Sequence, residues 1–260
     1  MVIDAHTHVW PDRIAERAIG GRQHGLDAFG DGKVSGLDAQ MRRSGVDRSV
    51  IFGIAEKAST VDRANEFVGS QDRERFIPFG TVHVELSPEE NLASLRRHGI
   101  RGIKLHPLFQ GFALDDPRLH AILEAVGDRL PILAHVGEGG DAAANARCTT
   151  QMMAELVERL PACRFIAAHF GGYRRLDEAE QLLVGLPLYL ETSWPPTLAA
   201  LDRDRLRALI ERHGADRVIF GSDWPMADPG EEIAAVRALD LGADAEAAVL
   251  GGTLAGLLGL

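Results

Sequence analysis

The sequence predicts an α/β protein, a closed (β/α)8 barrel, on three observations. Eight short β-branched runs alternate with amphipathic helical stretches, which implies parallel strands joined by right-handed crossovers. The 260 residues match the length such a barrel needs. The turn after the first strand reads Thr7-His8-Val9-Trp10-Pro11, where an open doubly wound sheet would place a glycine-rich phosphate loop.

The strand candidates are residues 2–8, 49–54, 76–84, 102–106, 131–136, 164–170, 188–192 and 217–223, each short and rich in branched side chains. Among the helices between them, Ser87-Pro88-Glu89-Glu90 carries a cap, a first-turn proline and acids behind it, and predicts a helix through about Arg97 that Gly99 stops. Asp116-Pro117 opens a helix carrying Leu119, Ile122, Leu123 and Val126. Thr149 or Thr150 opens one from Met152 to Leu160 ahead of Pro161, and residues 201–210, 230–239 and 245–260 supply the late helices. Residues 20–36 are glycine-rich and lack periodicity. Following the first strand, they are expected either as a plain insertion or as a loop over the mouth where barrel sites form.

Composition narrows the function. With 45% hydrophobic residues the chain can build one large core, so a single domain spanning 1–260 is expected. The 38 acidic against 28 basic side chains, a net charge of −10, leave little basic surface for nucleic acid or anionic lipid. The apolar stretch 247–260 has 14 residues, short of the roughly 20 a membrane span needs, and is expected as a buried terminal helix. Cys148 and Cys163 have no CxxC spacing and MVIDAHTHVW has no basic, apolar signal pattern, so a cytoplasmic protein is expected. For a soluble protein of this size self-association is common, and a two-fold homodimer is its commonest form.

The strand ends carry polar residues where a barrel interior takes branched apolar ones: His6 and His8, Lys104 and His106, His135, His169, Glu191 and Asp223. Period-two geometry puts His6 and His8 on one face of the first strand. A single such histidine is ordinarily a hydrogen-bonded, half-buried side chain. So many on one rim would cost several kcal/mol in desolvation without a partner, and a bound cation supplies one. Nitrogen and carboxylate donors without thiolate suit Zn(2+) first, then Mn(2+) or Fe(2+), and no organic cofactor is called for. Asp223 can serve as ligand or as proton acceptor.

At these residues the chain resembles the amidohydrolase superfamily, and within it the amidohydrolase-related group of TIM-barrel hydrolases and decarboxylases. The pieces are Ile3-Asp4-Ala5-His6-Thr7-His8, Gly102-Ile103-Lys104-Leu105-His106-Pro107, Pro131-Ile132-Leu133-Ala134-His135, Ala168-His169-Phe170-Gly171-Gly172 and Phe220-Gly221-Ser222-Asp223-Trp224-Pro225. The resemblance implies that His6, His8 and His135 ligate a divalent ion, with Asp223 completing the set or standing beyond it as general base. His169 then orients water and polarises the substrate. In two-metal members His135, His169 and a carboxylated Lys104 would hold a second ion. The single-metal form is the closer likeness, and there Lys104 is a cation aimed at a substrate carboxylate. Where the group usually carries an asparagine-alanine pair, this chain has Gly252-Thr253-Leu254-Ala255.

The implied reaction is hydrolysis of a lactone, ester or amide of a small carboxylated substrate by activated water. The alternatives are decarboxylation of an aromatic or unsaturated acid and a barrel that only binds. The expected pocket adds His106, Trp194, Trp224, Phe29, Arg22 and Glu191. Glu191 is weighed as the partner of a histidine ligand or, with slight preference, of Lys104.

Overall fold

The structure, a computed structural model, describes residues 1–20 and 26–260. It is the α/β barrel: β1 (Ile3–His8), β2 (Arg48–Phe52), β3 (Phe76–Gly80), β4 (Gly102–Leu105), β5 (Pro131–Ala134), β6 (Arg164–Ala167), β7 (Tyr189–Glu191) and β8 (Val218–Ile219) follow one another around an eight-stranded sheet. Nearly every strand residue is buried, because parallel strands are covered on both faces. β1 meets the end of the chain's last strand through Ala5 N–H to Phe220 O at 2.9 Å and His8 N–H to Trp224 O at 2.7 Å, which closes the order on itself.

Two compact units are distinguishable. The first comprises residues 1–51, 72–77 and 190–260, and so holds β1, β8, β2 up to Ile51 and β7 from Leu190. Its β7–β8 ladder pairs Leu190 with Val218 and Glu191 with Ile219. Leu37 and Met41 of the helix Val34–Ser44 and Ile233 and Val236 of the helix Pro229–Arg237 are buried in its core. The second unit comprises residues 52–71 and 78–189, with β4, β5 and β6 in register as Ile103, Ile132 and Phe165. Its helix Pro88–Arg97 opens on the expected capping box: Glu90 N–H donates to Ser87 Oγ at 3.2 Å and Ser87 N–H to Glu90 Oε2 at 2.8 Å. The helices Pro117–Val126 and Thr150–Arg159 start behind Asp116 and Thr149, as their caps require.

Three expectations need correction. Most strands stop two to four residues before the ends read from sequence, and β6 and β8 show why. His169, Phe170 and Asp223 have φ of 58°, 52° and 65°, left-handed backbone that no strand can carry. His169 and Asp223 therefore lie past the strands and not on them, and His106 and His135 each fall one residue beyond β4 and β5. The aperiodic segment also ends sooner, since the helix Asp12–Gly20 precedes it and Val34–Ser44 starts inside it. Finally, the terminal helix is interrupted by a wide turn, Ala248–Gly252, where a Cβ on Gly251 would stand 2.6 Å from Met1 O. Thr253 then donates to Ala215 O at 3.3 Å, a structural bond at the place of the missing asparagine. No helix among the described residues is long and apolar enough to cross a membrane.

Candidate metal centre and active site

In the first unit, β1 presents Asp4, His6 and His8 on one buried face. His6 Nδ1 lies 2.8 Å from Glu191 Oε2, and Ser193 closes around the same carboxylate with its N–H on Oε1 at 2.6 Å and its hydroxyl on Oε2 at 2.8 Å. A carboxylate only accepts, so Nδ1 carries the proton and, in the neutral ring, Nε2 keeps its lone pair. That Nε2 is 3.3 Å from Asp223 Oδ1, and His8 Nε2 is 3.3 Å from the same oxygen. Glu191 needs the space left by Gly221, where a Cβ would collide with its carboxylate. Of the two roles weighed for Glu191, partner of a histidine is the one these contacts display.

Asp4 ties β1 to the turn that aims Asp223. Its Oδ1 accepts from His6 N–H and Ser222 N–H, both at 3.0 Å, and its Oδ2 accepts from the Ser222 hydroxyl at 2.6 Å. Burial pushes its carboxyl up to about 7, against the opposing pull of those bonds.

In the second unit Lys104 is completely buried, its Nζ 4.8 Å from the centroid of the Phe52 ring. His106 stacks on His135 with centroids 4.5 Å apart and planes 9° from parallel. His135 Nε2 lies 2.9 Å from Glu138 O, and its Nδ1 lies 3.0 Å from His169 Nε2. A carbonyl can only accept, so in the neutral ring Nε2 donates and Nδ1 accepts from His169. The loops holding this chain pair beyond their strands, with Glu138 N–H on Tyr173 O at 3.0 Å and Tyr173 N–H on Val136 O at 2.9 Å.

His6, His169 and Asp223 each offer one donor atom, all within 4.8 Å of one another, and all three side chains are buried. Two imidazoles and a carboxylate fit a divalent ion of the zinc, manganese or iron type, and leave coordination positions for water or substrate. Both His169 and Asp223 hold their donors on left-handed backbone, which for residues other than glycine costs on the order of 1–3 kcal/mol each.

The amidohydrolase family model matches residues 3–260. The chain belongs to that family. Among curated proteins an L-fucono-1,5-lactonase of Burkholderia ambifaria is 29% identical over 252 residues, covering 86% of this chain and 80% of the relative. Among solved structures, 5-carboxyvanillate decarboxylase of Sphingomonas paucimobilis superposes with a TM-score of 0.75 at 16% identity, over 100% of this chain and 99% of that one. A putative 2-pyrone-4,6-dicarboxylic acid hydrolase of Pseudomonas putida gives 0.71 at 20% identity, over 99% and 97%. A buried ligand group in an amidohydrolase-family barrel makes this a metal-dependent enzyme, and the binding-only alternative is set aside.

The amidohydrolase motifs do not name every residue of this site. Of the expected pocket, Trp194 and Trp224 are buried beyond β7 and β8, and Phe29 is exposed; Arg22 lies outside the described residues. Sequence reasoning passed over Ser193 and Tyr173, and quoted Ser222 and Trp10 without giving either a role. It used Asp4 only as a motif letter, although its place two residues before His6 already put it on the ligand face.

Proposed function

We propose that the protein acts on a small carboxylated substrate by one of two reactions, and that decarboxylation stands ahead of the hydrolysis first expected. The carrying observation is the buried His6–His169–Asp223 donor group in an amidohydrolase-family barrel. Decarboxylases recur among the structural neighbours, including those for 5-carboxyvanillate and 2,6-dihydroxybenzoate, and this supports the order. Lactone hydrolysis is the second reading, favoured by the lactonase that is similar along most of its length.

A divalent ion bound at this group would supply Lewis acidity, neutralising the carboxylate charge and making coordinated water acidic. His6 and Asp223 would hold it, with His169, His8 or His135 completing the set. In decarboxylation, Asp223 or His169 delivers a proton to the carbon that bears the carboxyl group; the C–C bond then breaks and its electron pair returns to the substrate as carbon dioxide leaves. In hydrolysis, Asp223 takes the proton of the attacking water and His169 returns one to the leaving oxygen. Lys104 fits either course as the cation facing a carboxylate or an oxyanion.

The test is purification, elemental analysis and assay with hydroxylated benzoates, with the carboxylated lactone 2-pyrone-4,6-dicarboxylate and with the uncarboxylated L-fucono-1,5-lactone, before and after chelation. The expected result is stoichiometric transition metal and carbon dioxide release that chelation abolishes. Lactone opening without carbon dioxide release would promote the second reading, and turnover that survives complete chelation would sink both.

A further inference from the structure

Phe29 is 51% exposed, and Met1 and Leu260 at the chain ends are the other large hydrophobic residues so exposed among the described residues. Its position is fixed by the site. The N–H groups of Phe29 and Gly30 both donate to Pro225 O, at 2.7 and 3.0 Å, two residues beyond Asp223. Trp10 N–H donates to Gly32 O at 2.9 Å, two residues beyond His8. Residues 29–32 are thus strapped across the ends of β1 and β8, which bring His6, His8 and Asp223.

Two glycines make the strap fit. A Cβ on Gly30 would stand 2.5 Å from Trp224 Nε1, and one on Gly32, whose φ is +69°, would stand 2.8 Å from Trp10 Cε3. Trp10 is half-buried and stacks on His8 with centroids 5.9 Å apart and planes 13° from parallel. One indole therefore backs a histidine of the ligand face, while a phenyl ring stands in solvent on the same strap. Covering such a ring with a ligand recovers the hydrophobic free energy its exposure forgoes.

We propose that Phe29 and Trp10, held by the Gly30 and Gly32 strap, are specificity-determining residues that clamp the non-reacting ring face of the substrate. The clamp rests on the proposed function for the site it serves. It selects a small carboxylated molecule with a flat or CH-rich ring, a description that an aromatic acid and a sugar acid both satisfy.

Isothermal titration of the metal-loaded protein with 2,6-dihydroxybenzoate and with galacturonate, whose pyranose form carries a carboxylate on a CH-rich ring, separates these two classes. Phe29→Ala is expected to weaken the accepted probe by about 10-fold, as loss of an aromatic contact does. Phe29→Leu should restore most of that affinity, and metal content and Tm should stay at wild-type values, because an exposed ring supports neither. Wild-type affinity in Phe29→Ala, or no binding of either probe by the wild type, overturns the clamp. Tight binding that Phe29→Ala weakens, without turnover of any substrate in the panel, upholds the clamp and overturns the proposed reaction.

Discussion

The two units handle charge in opposite ways. All four buried acids among the described residues, Asp4, Glu191, Asp223 and Glu232, belong to the first unit, while the buried lysine, Lys104, belongs to the second. The first unit holds its histidines with carboxylates: Glu191 on His6 Nδ1, and Asp223 against the Nε2 atoms of His6 and His8. The second holds His135 with a backbone carbonyl and with His169, and sets its cation over an aromatic ring. Clustered buried carboxylates repel one another, and burial disfavours the charged form of each, as at Asp4 and Glu232. The carboxylates around the histidines of the first unit and the carbonyl and ring partners of the second are thus two different settings for buried polar side chains.

Removing donors tests that division most severely. Asp223→Asn is expected to lower kcat by about 10²–10⁴-fold, the range for loss of a positioned proton acceptor, with a fall in bound metal. His6→Ala should lose metal and activity together. His169 decides how far the division goes: its place in the donor group predicts that His169→Asn also loses metal. A His169→Asn protein that keeps its ion and loses turnover would confine metal binding to the first unit.

Glu191→Gln sharpens the same comparison at smaller scale. The amide can present its NH2 to His6 Nδ1, which frees the ring to choose the other tautomer, and it removes a negative charge behind the ligand. Metal affinity measured by chelator competition is expected to fall about 10–100-fold, the usual consequence of losing a carboxylate behind a ligating histidine. Unchanged affinity would reduce Glu191 to packing.

Lys104→Met probes the other unit. Loss of a charged hydrogen bond is worth about 10–100-fold in binding, so KM for a carboxylated substrate should rise by that much while one ion per chain is retained. Two ions in the wild type and one in the variant would instead make Lys104 a metal bridge.

The fold was legible because barrel strands announce themselves as short branched runs and because Ser87, Asp116 and Thr149 cap their helices in recognisable ways. That His6 and His8 share one buried face of β1 was legible from their spacing. What composition and periodicity could not convey is backbone conformation: nothing in Ala168-His169-Phe170 signals two successive left-handed residues, so β6 was drawn through them. Partners chosen across the sheet were equally hidden. Glu191 was weighed between Lys104 and a histidine, and its bond to His6 depends on the space that Gly221 leaves.

Glu232 carries the carboxylate asymmetry away from the chemistry and gives the smallest effect. Its carboxyl accepts from Leu198 N–H at 3.0 and 3.1 Å, fastening the segment after β7 to the helix Pro229–Arg237. Burial pushes it up to about 8, with the charges of Asp4 and Glu191 adding to the shift against the bonds from Leu198 and Thr197. The unfolded chain releases this proton from about pH 4.5, so the folded state binds more protons between pH 4.5 and 8, and stability falls as pH rises through that window. Glu232→Gln cannot ionise and keeps the protonated shape. Its calorimetric Tm should match the wild type near pH 5 and exceed it by a few degrees at pH 8.5, at about 2–4 °C per kcal/mol for a chain of this size. Asp4 titrates in the same window and its charge opposes that of Glu232, so its own pH dependence is weaker in Glu232→Gln and adds to the difference in the same direction. Parallel Tm curves across that range would show that Glu232 is already ionised in the fold, its charge held by the bonds from Leu198 and Thr197.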